Sequence, residues 1–178
     1  MHARLRRALA SCAILLLAAC GPLAHQSPGV LEVRNAQVVV QDGVAHLELA
    51  LDCKLSGPMQ DALDHGIPLA IVVDVRGADG ARAQPRVELR YYPLSRRYQL
   101  AVNGRDDERG FVTRGYLLAA LGSLRLSLPS TFAHAASPLR VSAALDPAAL
   151  PGALRLPALF EPAWRLSSAE TTWSPATH

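Results

Sequence analysis

The sequence predicts a mainly β, β-rich α+β fold: an antiparallel β-sandwich or curved sheet of about seven or eight strands with two short inserted helices. Three observations support this prediction. Apolar and polar residues alternate along most of the chain, as in strands with one buried face. Turn residues separate these stretches, most clearly at Asp42-Gly43. Helical spacing is confined to two short stretches, whereas a doubly wound α/β fold would need regular crossover helices.

The clearest hairpin is predicted around Asp42-Gly43, which lies between Val38–Val40 and Val44–Leu51. Both residues of a two-residue hairpin turn need positive φ, which Asp and Gly adopt more easily than most residues. In the second strand the leucines and Cys53 share one parity, so one face is expected to be buried. The parity of the apolar residues changes near Asn35, which predicts a β-bulge or a new strand there.

Two short helices are predicted between the strands. The first begins at Gly57-Pro58, because proline is tolerated in the first helical turn, and Gly66 supplies the left-handed residue that ends it. Its buried stripe is expected to contain Met59, Ala62 and Leu63. The second helix is capped by Thr113 or a neighbour. Its apolar residues follow a spacing of three and four and are Leu117, Ala120, Leu121 and Leu124.

The remaining alternating stretches predict strands around residues 69–75, 87–91, 98–102, 139–143 and 164–168. Of these, 87–91 and 98–102 are expected to form a second hairpin. Two segments interrupt the pattern. The segment from Asn103 to Gly110 is rich in charge and is expected to be a loop. The segment from Pro147 to Pro162 contains four prolines and is expected to be an irregular connection.

The N-terminus has the pattern of a bacterial export signal. Arg4, Arg6 and Arg7 precede twelve uncharged residues, too few for a membrane-spanning helix of about 20 residues. The segment Leu17-Ala18-Ala19-Cys20 then resembles the lipoprotein box, in which the cysteine thiol receives a lipid. We therefore expect residues 1–19 to be a lipoprotein signal peptide and Cys20 to be the site of lipid attachment.

The domain boundaries that follow are a tether at 20–29, a single β-rich domain at 30–174 and a tail at 175–178. Two alternatives to this N-terminus exist. Leu9-Ala10-Ser11-Cys12 also matches the box, but cleavage there leaves an apolar region of four residues. The other alternative is an ordinary secretory signal cut nearby. Gly21 is not the aspartate that retains lipoproteins in the inner membrane, so we expect a lipid-anchored protein on the periplasmic face of the outer membrane.

The formal charge of +3 originates in the predicted signal. The chain has 18 basic and 15 acidic side chains, and three of the basic ones are the arginines before residue 8. The rest is neutral in sum but unevenly charged. Residues 20–75 contain two basic and seven acidic groups, and residues 76–114 contain nine arginines and five acidic groups. A nucleic-acid partner is not expected in the periplasm.

The arginine-rich segment contains the candidate interaction surface, which is formed by Arg86, Arg90, Arg96 and Arg97. The first two share a face of one predicted strand, and the other two lie at the adjacent turn. A guanidinium fork matches carboxylate and phosphate geometry, so these residues suit an acidic protein surface or anionic lipid head groups. The alternative is that they pair with the acidic strands of the same protein.

No catalytic residue, metal site or cofactor is predicted, and we do not expect an enzyme. The sequence contains no Gly-x-Ser-x-Gly motif and no phosphate-binding glycine loop. His46, Glu48 and Asp52 share a strand face but extend too far along it to converge on zinc. The acidic run at 106–108 lacks the spacing of a calcium loop. Cys53 is expected to be a small core residue without a disulfide partner.

Three stretches resemble a family of bacterial envelope proteins, the domain of unknown function DUF4390. They are residues 61–69 (DALDHGIPL), residues 89–98 (LRYYPLSRRY), and residues 143–146 together with 150–151 and 164–166. The likeness covers roughly residues 30 to 173. It implies an N-terminal export or anchor segment and no established activity, and no catalytic residues carry over. Genes of the family often lie beside a nitrogen-regulation-type sensor kinase, which implies a link to envelope signalling.

Two functional hypotheses follow. The leading one is a lipid-anchored envelope protein whose non-catalytic β-rich domain binds another protein, such as the periplasmic region of a sensor kinase, while the N-terminal lipid binds the membrane. The alternative is a carrier or chaperone that holds a small apolar ligand or a lipid in the cleft between two sheets.

Overall fold

The computed structural model describes residues 27–133 and 138–174, with the backbone alone at residues 106–109. The predicted signal peptide at 1–19, residues 20–26 of the predicted tether and the predicted tail at 175–178 lie outside the described residues. The described strands form two antiparallel sheets, with short helices between them in sequence. The β-rich α+β fold predicted from the sequence is therefore confirmed, with three described α-helices rather than two.

In chain order the described strands and helices are β1 (Val30–Gln41), β2 (Val44–Lys54), α1 (Gly57–Asp64), β3 (Leu69–Gly77), β4 (Arg82–Ala83), β5 (Arg86–Tyr92), β6 (Arg97–Val102), β7 (Arg105–Phe111), α2 (Arg114–Ala120), β8 (Leu124–Ser127), β9 (Leu139–Leu145), α3 (Gly152–Phe160) and β10 (Thr171–Trp173). The smaller sheet has the strand order β1-β2-β8. The larger has the order β10-β9-β3-β5-β6-β7, and the short β4 also pairs with β3.

The hairpin predicted at Asp42-Gly43 joins β1 to β2. The two residues have φ values of 52° and 77°, the left-handed conformation that a two-residue hairpin turn requires. The register of the pair shifts between Val33 and Asn35, which confirms the bulge predicted from the parity change. Residues 46–49 of β2 pair with β8 on the other side, so β2 is the central strand of the smaller sheet.

One apolar cluster contains side chains from both sheets and from all three helices. Its central residues come from the larger sheet: Ile71, Val73 and Val75 of β3, with Val87 and Leu89 of β5, are fully buried. Burying a side chain of this size stabilises the folded state by about 1.5–3 kcal/mol relative to leaving it exposed. Cys53, the cysteine within the described residues, is free, so this cluster stabilises the described fold without a disulfide.

The first predicted helix is confirmed as α1. The Ser56 hydroxyl accepts a hydrogen bond from the Met59 N–H at 3.5 Å, which satisfies one free donor of the first turn. Gly66 follows the helix with φ 83°, as predicted. Met59, Ala62 and Leu63 are buried, also as predicted, so this short helix covers one part of the core.

The second predicted helix is confirmed as α2, although it ends earlier than predicted. Thr113 is the N-cap, and its hydroxyl accepts a hydrogen bond from the Tyr116 N–H at 3.3 Å. Leu117 is fully buried. The assignment of Leu124 to this helix is wrong: it begins β8, because the chain tightens into a 3₁₀ turn at Leu121–Ser123 and then extends.

The prediction of a loop from Asn103 to Gly110 is wrong. Asn103 and Gly104, with φ values of 49° and 79°, form a second two-residue hairpin turn. The charged residues that follow belong to β7, which pairs with β6 at the edge of the larger sheet. The Asn-Gly dipeptide is a strong signal for a hairpin turn. Because an edge strand tolerates charged side chains, the segment after the turn forms a strand despite its polar composition.

The prediction of an irregular connection from Pro147 to Pro162 is also wrong in part. This segment contains α3, whose Pro157 lies within the helix and removes one backbone hydrogen bond. The helix continues beyond this proline to Phe160. Neither α3 nor any other helix in the two described ranges is long and apolar enough to cross a bilayer.

The prediction of a strand at 164–168 is wrong, although the apolar residues of this segment are buried. The segment runs beside β9 with irregular hydrogen bonds. The Leu145 N–H donates to the Leu166 carbonyl at 2.8 Å, and the Ser168 hydroxyl accepts from the Ala143 N–H at 2.9 Å. A hydroxyl thus takes the place of a backbone carbonyl, which interrupts the ladder. The final strand is β10, which pairs with β9.

The thiol of Cys53 packs partly buried against the core, close to the prediction. Burial raises its pKa to about 12, and the neighbouring Asp52 carboxylate adds to the shift. The thiol is therefore protonated at pH 8. We expect iodoacetamide to alkylate Cys53 at least about 100-fold more slowly than a cysteine introduced by Val44→Cys on the exposed first hairpin. Peptide mass spectrometry of the variant reports both rates, and rates within tenfold of each other would contradict this environment.

Candidate interaction surface

Strands β5 and β6 form the second predicted hairpin and position the candidate arginines. Val87 and Leu89 of β5, with Leu100 of β6, lie on the core side of the sheet. The alternate residues lie on the outer side, which places Arg86 and Arg90 on one outer face. Polar residues therefore cover the outer side of the hairpin along its length.

Glu88 occupies this outer face between Arg86 and Arg90. Across the strands it is paired with Ala70 of β3 and Ala101 of β6, both buried. Its Oε2 accepts hydrogen bonds from Nε and Nη2 of Arg90 at 3.1 and 2.7 Å, and its Oε1 lies 3.3 Å from Nε of Arg86. The two arginines thus enclose one carboxylate, and little of the Glu88 side chain is exposed.

Arg86 also connects β5 to the segment that follows β9. Its Nη2 lies 3.2 Å from Oδ2 of Asp146, whose backbone N–H donates to the carbonyl of Ala70 at 2.8 Å. The second oxygen of Asp146 accepts a hydrogen bond from the Ala148 N–H at 3.0 Å. Arg86 and Arg90 therefore pair with acidic groups of the same protein, although Glu88 and Asp146 lie outside the acidic strands that the sequence offered as partners. An external anion must compete with these carboxylates.

Arg96 and Arg97 lie in a different environment, at the turn between β5 and β6. Both are exposed, and Arg96 has φ 52°. Neither forms an ion pair with a residue whose side chain the structure describes. Arg97 is directly opposite Tyr92 in the β5–β6 register. These two arginines thus present charge to solvent beside an aromatic ring.

Exposed apolar side chains lie around this turn. Tyr98 of β6 pairs with Phe111, the last residue of β7, so Val112, which follows Phe111, lies next to Arg97. Helix α2 begins two residues after Val112. Tyr116 in the first turn of α2 and Leu94 in the hairpin turn are also strongly exposed. The group that we call the hairpin-tip surface consists of Tyr92, Leu94, Arg96, Arg97, Val112 and Tyr116.

A partly exposed hydrogen-bond network lies next to the hairpin-tip surface and holds α1 and α2 against β6. Tyr98 donates its hydroxyl proton to Asp64 at 2.7 Å, and Arg114 pairs with the other oxygen of Asp64 and donates to Gln60 at 2.7 Å. The Tyr98 ring packs on Tyr91 with centroids 4.6 Å apart. Burial raises the pKa of Tyr98 to about 12, and the Asp64 hydrogen bond adds to this shift. The elements around the tip are thus fixed relative to one another.

The acidic face of β2 has partners of its own. Glu48 accepts a hydrogen bond from Gln37 at 2.6 Å, and Asp52 pairs with Arg34 at 2.8 Å. His46, the third residue considered as a zinc ligand, lies further along the strand. Within residues 27–133 and 138–174, no three His, Cys, Asp or Glu side chains are grouped to hold a metal ion.

Sequence reasoning placed the four arginines but missed the apolar part of the hairpin-tip surface. Leu94 lies in the run Pro93-Leu94-Ser95, and an apolar residue within a turn is a signal of exposure that could have identified it. The exposure of Val112 and Tyr116 depends on where β7 ends and α2 begins, which the charged-loop interpretation obscured.

The two sheets, their shared core and the exposed hairpin tip define a β-rich α+β domain. The family model for the domain of unknown function DUF4390 matches residues 30–174, and the chain belongs to this family. This match confirms the resemblance found in the sequence. No curated protein and no solved structure matches the chain.

The different surroundings of Arg90 and Arg97 predict different effects on stability. Arg90→Gln removes both hydrogen bonds to the poorly exposed Glu88 carboxylate, so we expect a loss of about 1 kcal/mol and a fall in Tm of about 3 °C. Arg97→Gln on the adjacent strand should leave Tm unchanged within about 1 °C. Thermal unfolding followed by circular dichroism checks both, and equal changes in the two variants would contradict the assignment.

Proposed function

We propose that the protein is a lipid-anchored protein of the bacterial envelope whose β-rich domain binds another protein through the hairpin-tip surface. The proposal has two parts, attachment by a lipid at Cys20 and recognition of a partner by the domain. Membership of DUF4390 is consistent with both parts and specifies neither, since the family is a domain of unknown function.

The composition and exposure of the hairpin-tip surface carry the recognition part of the proposal. Tyrosine and arginine are enriched at protein interfaces, where aromatic rings are buried and guanidinium groups pair with carboxylates. Here Tyr92 and Leu94 are exposed in the same hairpin turn as Arg96 and Arg97, and Tyr116 is exposed in the first turn of α2. A partner with an acidic rim around an apolar depression complements this arrangement. Arg86 and Arg90, which are paired with Glu88, support the hairpin rather than supply the main contacts.

We further propose an envelope-signalling role, with the periplasmic region of a sensor kinase as the partner. This step rests on the family analogy described with the sequence. The charges at the tip would steer and orient a partner of complementary charge.

We also propose that the domain is non-catalytic. General acids and bases work best with pKa values near the ambient pH. The two described groups whose pKa is strongly shifted, the Cys53 thiol and the Tyr98 hydroxyl, both move to about 12, away from that range. The shift of Cys53 arises mainly from burial and then from the Asp52 carboxylate, and that of Tyr98 from burial and then from its hydrogen bond to Asp64.

The carrier hypothesis has weaker support. It needs a cleft between the sheets, and in the described part of the chain that space is occupied by the apolar cluster. Two shallow grooves of about 290 and 390 Å³ instead lie along β2, next to the segment from α2 to β8. Native mass spectrometry of the full-length protein separates the two hypotheses, since a carrier should retain a stoichiometric lipid.

Partner binding is tested by placing the photocrosslinking residue benzoylphenylalanine at Leu94 in living cells. We expect one envelope protein in the adducts, and we expect Arg96→Gln together with Arg97→Gln to reduce its yield at least about tenfold. The control carries the same probe at Val44 on the first hairpin, which is 46% exposed against 104% for Leu94. Equal adduct yields from both positions, or a yield that does not depend on the two arginines, would contradict recognition by the hairpin tip.

Lipid attachment is tested by growing cells with alkyne-tagged palmitate and isolating the protein. The wild-type chain should carry the label, and Cys20→Ser should remove it because the acceptor thiol is lost. Cys12→Ser and Cys53→Ser are matched controls and should keep it. Label that persists in Cys20→Ser and disappears in Cys12→Ser would move attachment to the other box, and an unlabelled wild-type chain would indicate an ordinary secretory signal.

A further inference from the structure

Helix α3 is apolar on two faces. Leu154 and Ala158 pack towards the core, whereas Leu156, Leu159 and Phe160 are 66%, 60% and 75% exposed. The exposed three follow the spacing of three and four that places residues on one side of a helix. A helix that is apolar all round is normally covered all round. The outer face of α3 therefore lacks a covering layer in the described part of the chain.

The predicted tether enters the domain close to this helix. The Gly29 N–H donates to the carbonyl of Arg165 at 3.0 Å. A Cβ atom at Gly29 would lie 2.8 Å from Cδ1 of Leu166 and 3.1 Å from the carbonyl of Lys54, so the entry point is tightly packed. Arg165 follows Phe160 by five residues, so their Cα atoms are at most about 18 Å apart.

The length of chain before this point limits how far the domain can move from a lipid at Cys20. Gly29 is nine positions after Cys20, so their Cα atoms are at most about 32 Å apart. A domain of this size has a radius of gyration of about 15 Å. The tether is thus comparable to the domain's own width, and α3 is held near the bilayer at an effective concentration of order millimolar. At this concentration a weak apolar affinity of α3 for lipid is enough to dock the helix on the bilayer.

Cationic side chains lie on α3 and at the point where the predicted tether enters the domain. Arg155 on α3 donates Nε to the carbonyl of Leu150 at 2.8 Å, which fixes the side chain beside the helix. Arg155, Arg165 and Lys54 are exposed and form no ion pair with any described side chain, and Glu161 is the one acidic residue next to the helix end. Lysine and arginine beside an apolar helix face favour a membrane surface with anionic lipids.

We propose that the outer face of α3, formed by Leu156, Leu159 and Phe160, inserts into the lipid surface to which the chain is anchored. The proposal rests on lipid attachment at Cys20 and adds a second, protein-mediated contact. Interfacial helices of this kind insert by about 5–10 Å. Two contacts fix the orientation of the domain on the bilayer, which a lipid on a tether alone does not do.

The first hairpin provides an internal control for this orientation. Val30 at the start of β1 pairs with Lys54, and the turn after Gln41 lies at the other end of the same strand. Twelve residues of strand separate the two ends by roughly 36–40 Å. Val44, next to that turn, is 46% exposed. Its side chain should remain in water when α3 is inserted.

The test uses the full-length acylated protein with Cys53→Ser and one new cysteine, either Leu159→Cys or Val44→Cys. Each is labelled with the fluorophore NBD and reconstituted into phosphatidylethanolamine–phosphatidylglycerol vesicles, with and without nitroxide-labelled lipid. We expect quenching of the probe at 159 to be at least about threefold stronger than at 44 because that probe lies at the headgroup boundary. It should persist at high salt, since apolar burial is not screened.

Equal quenching at both positions on acylated, vesicle-bound protein overturns docking by α3 and leaves the lipid anchor intact. Protein that has neither an acyl mass nor vesicle association overturns the anchor and this proposal together. A probe at 159 that is shielded from aqueous iodide before lipid is added shows that a second copy or another protein covers the face, which also overturns membrane docking.

Discussion

The fold depends on the position of β3 in the larger sheet. This strand hydrogen-bonds on one side to β9 and on the other to β5 and the short β4, and its residues Ile71, Val73 and Val75 are fully buried. Its pairing with β9 joins residues that are about 70 positions apart in the chain. Non-local pairings carry a high loop-closure cost before any burial compensates it. The apolar content of β3 is what makes that closure favourable.

Local signals predicted the parts of the fold that they control, and tertiary contacts decided the rest. Asp42-Gly43 and Gly66 identified a turn and a helix end because each position needs positive φ. Asn103-Gly104 carries the same signal and indicates the turn before β7, whereas the charge of the residues after it favours a loop. Helix α3 was missed because proline content suggested irregular structure, although one internal proline removes only one backbone hydrogen bond. Pairing of β9 with β3 has no local signal at all.

The candidate surface shows the same division. Parity alone places Arg86, Glu88 and Arg90 on one strand face, so the enclosed carboxylate was predictable in principle from the sequence. The ion pair between Arg86 and Asp146 was not predictable, because Asp146 belongs to a segment that is distant in the chain. Exposure of apolar residues at the tip depends on how neighbouring strands end, which is a property of the assembled sheet.

The charge on strand β7 affects how chains of this protein associate with one another. This strand is the last strand of the larger sheet, and its sequence begins with five consecutive charged residues, 105–109. An unpaired strand edge is a template on which other chains can add, and charge along it opposes such addition. Proteins anchored to one membrane are crowded in two dimensions, so edge-to-edge association is a particular hazard for them. The charged run thus opposes edge-to-edge addition of further copies of the domain, including on the membrane to which we propose it is anchored.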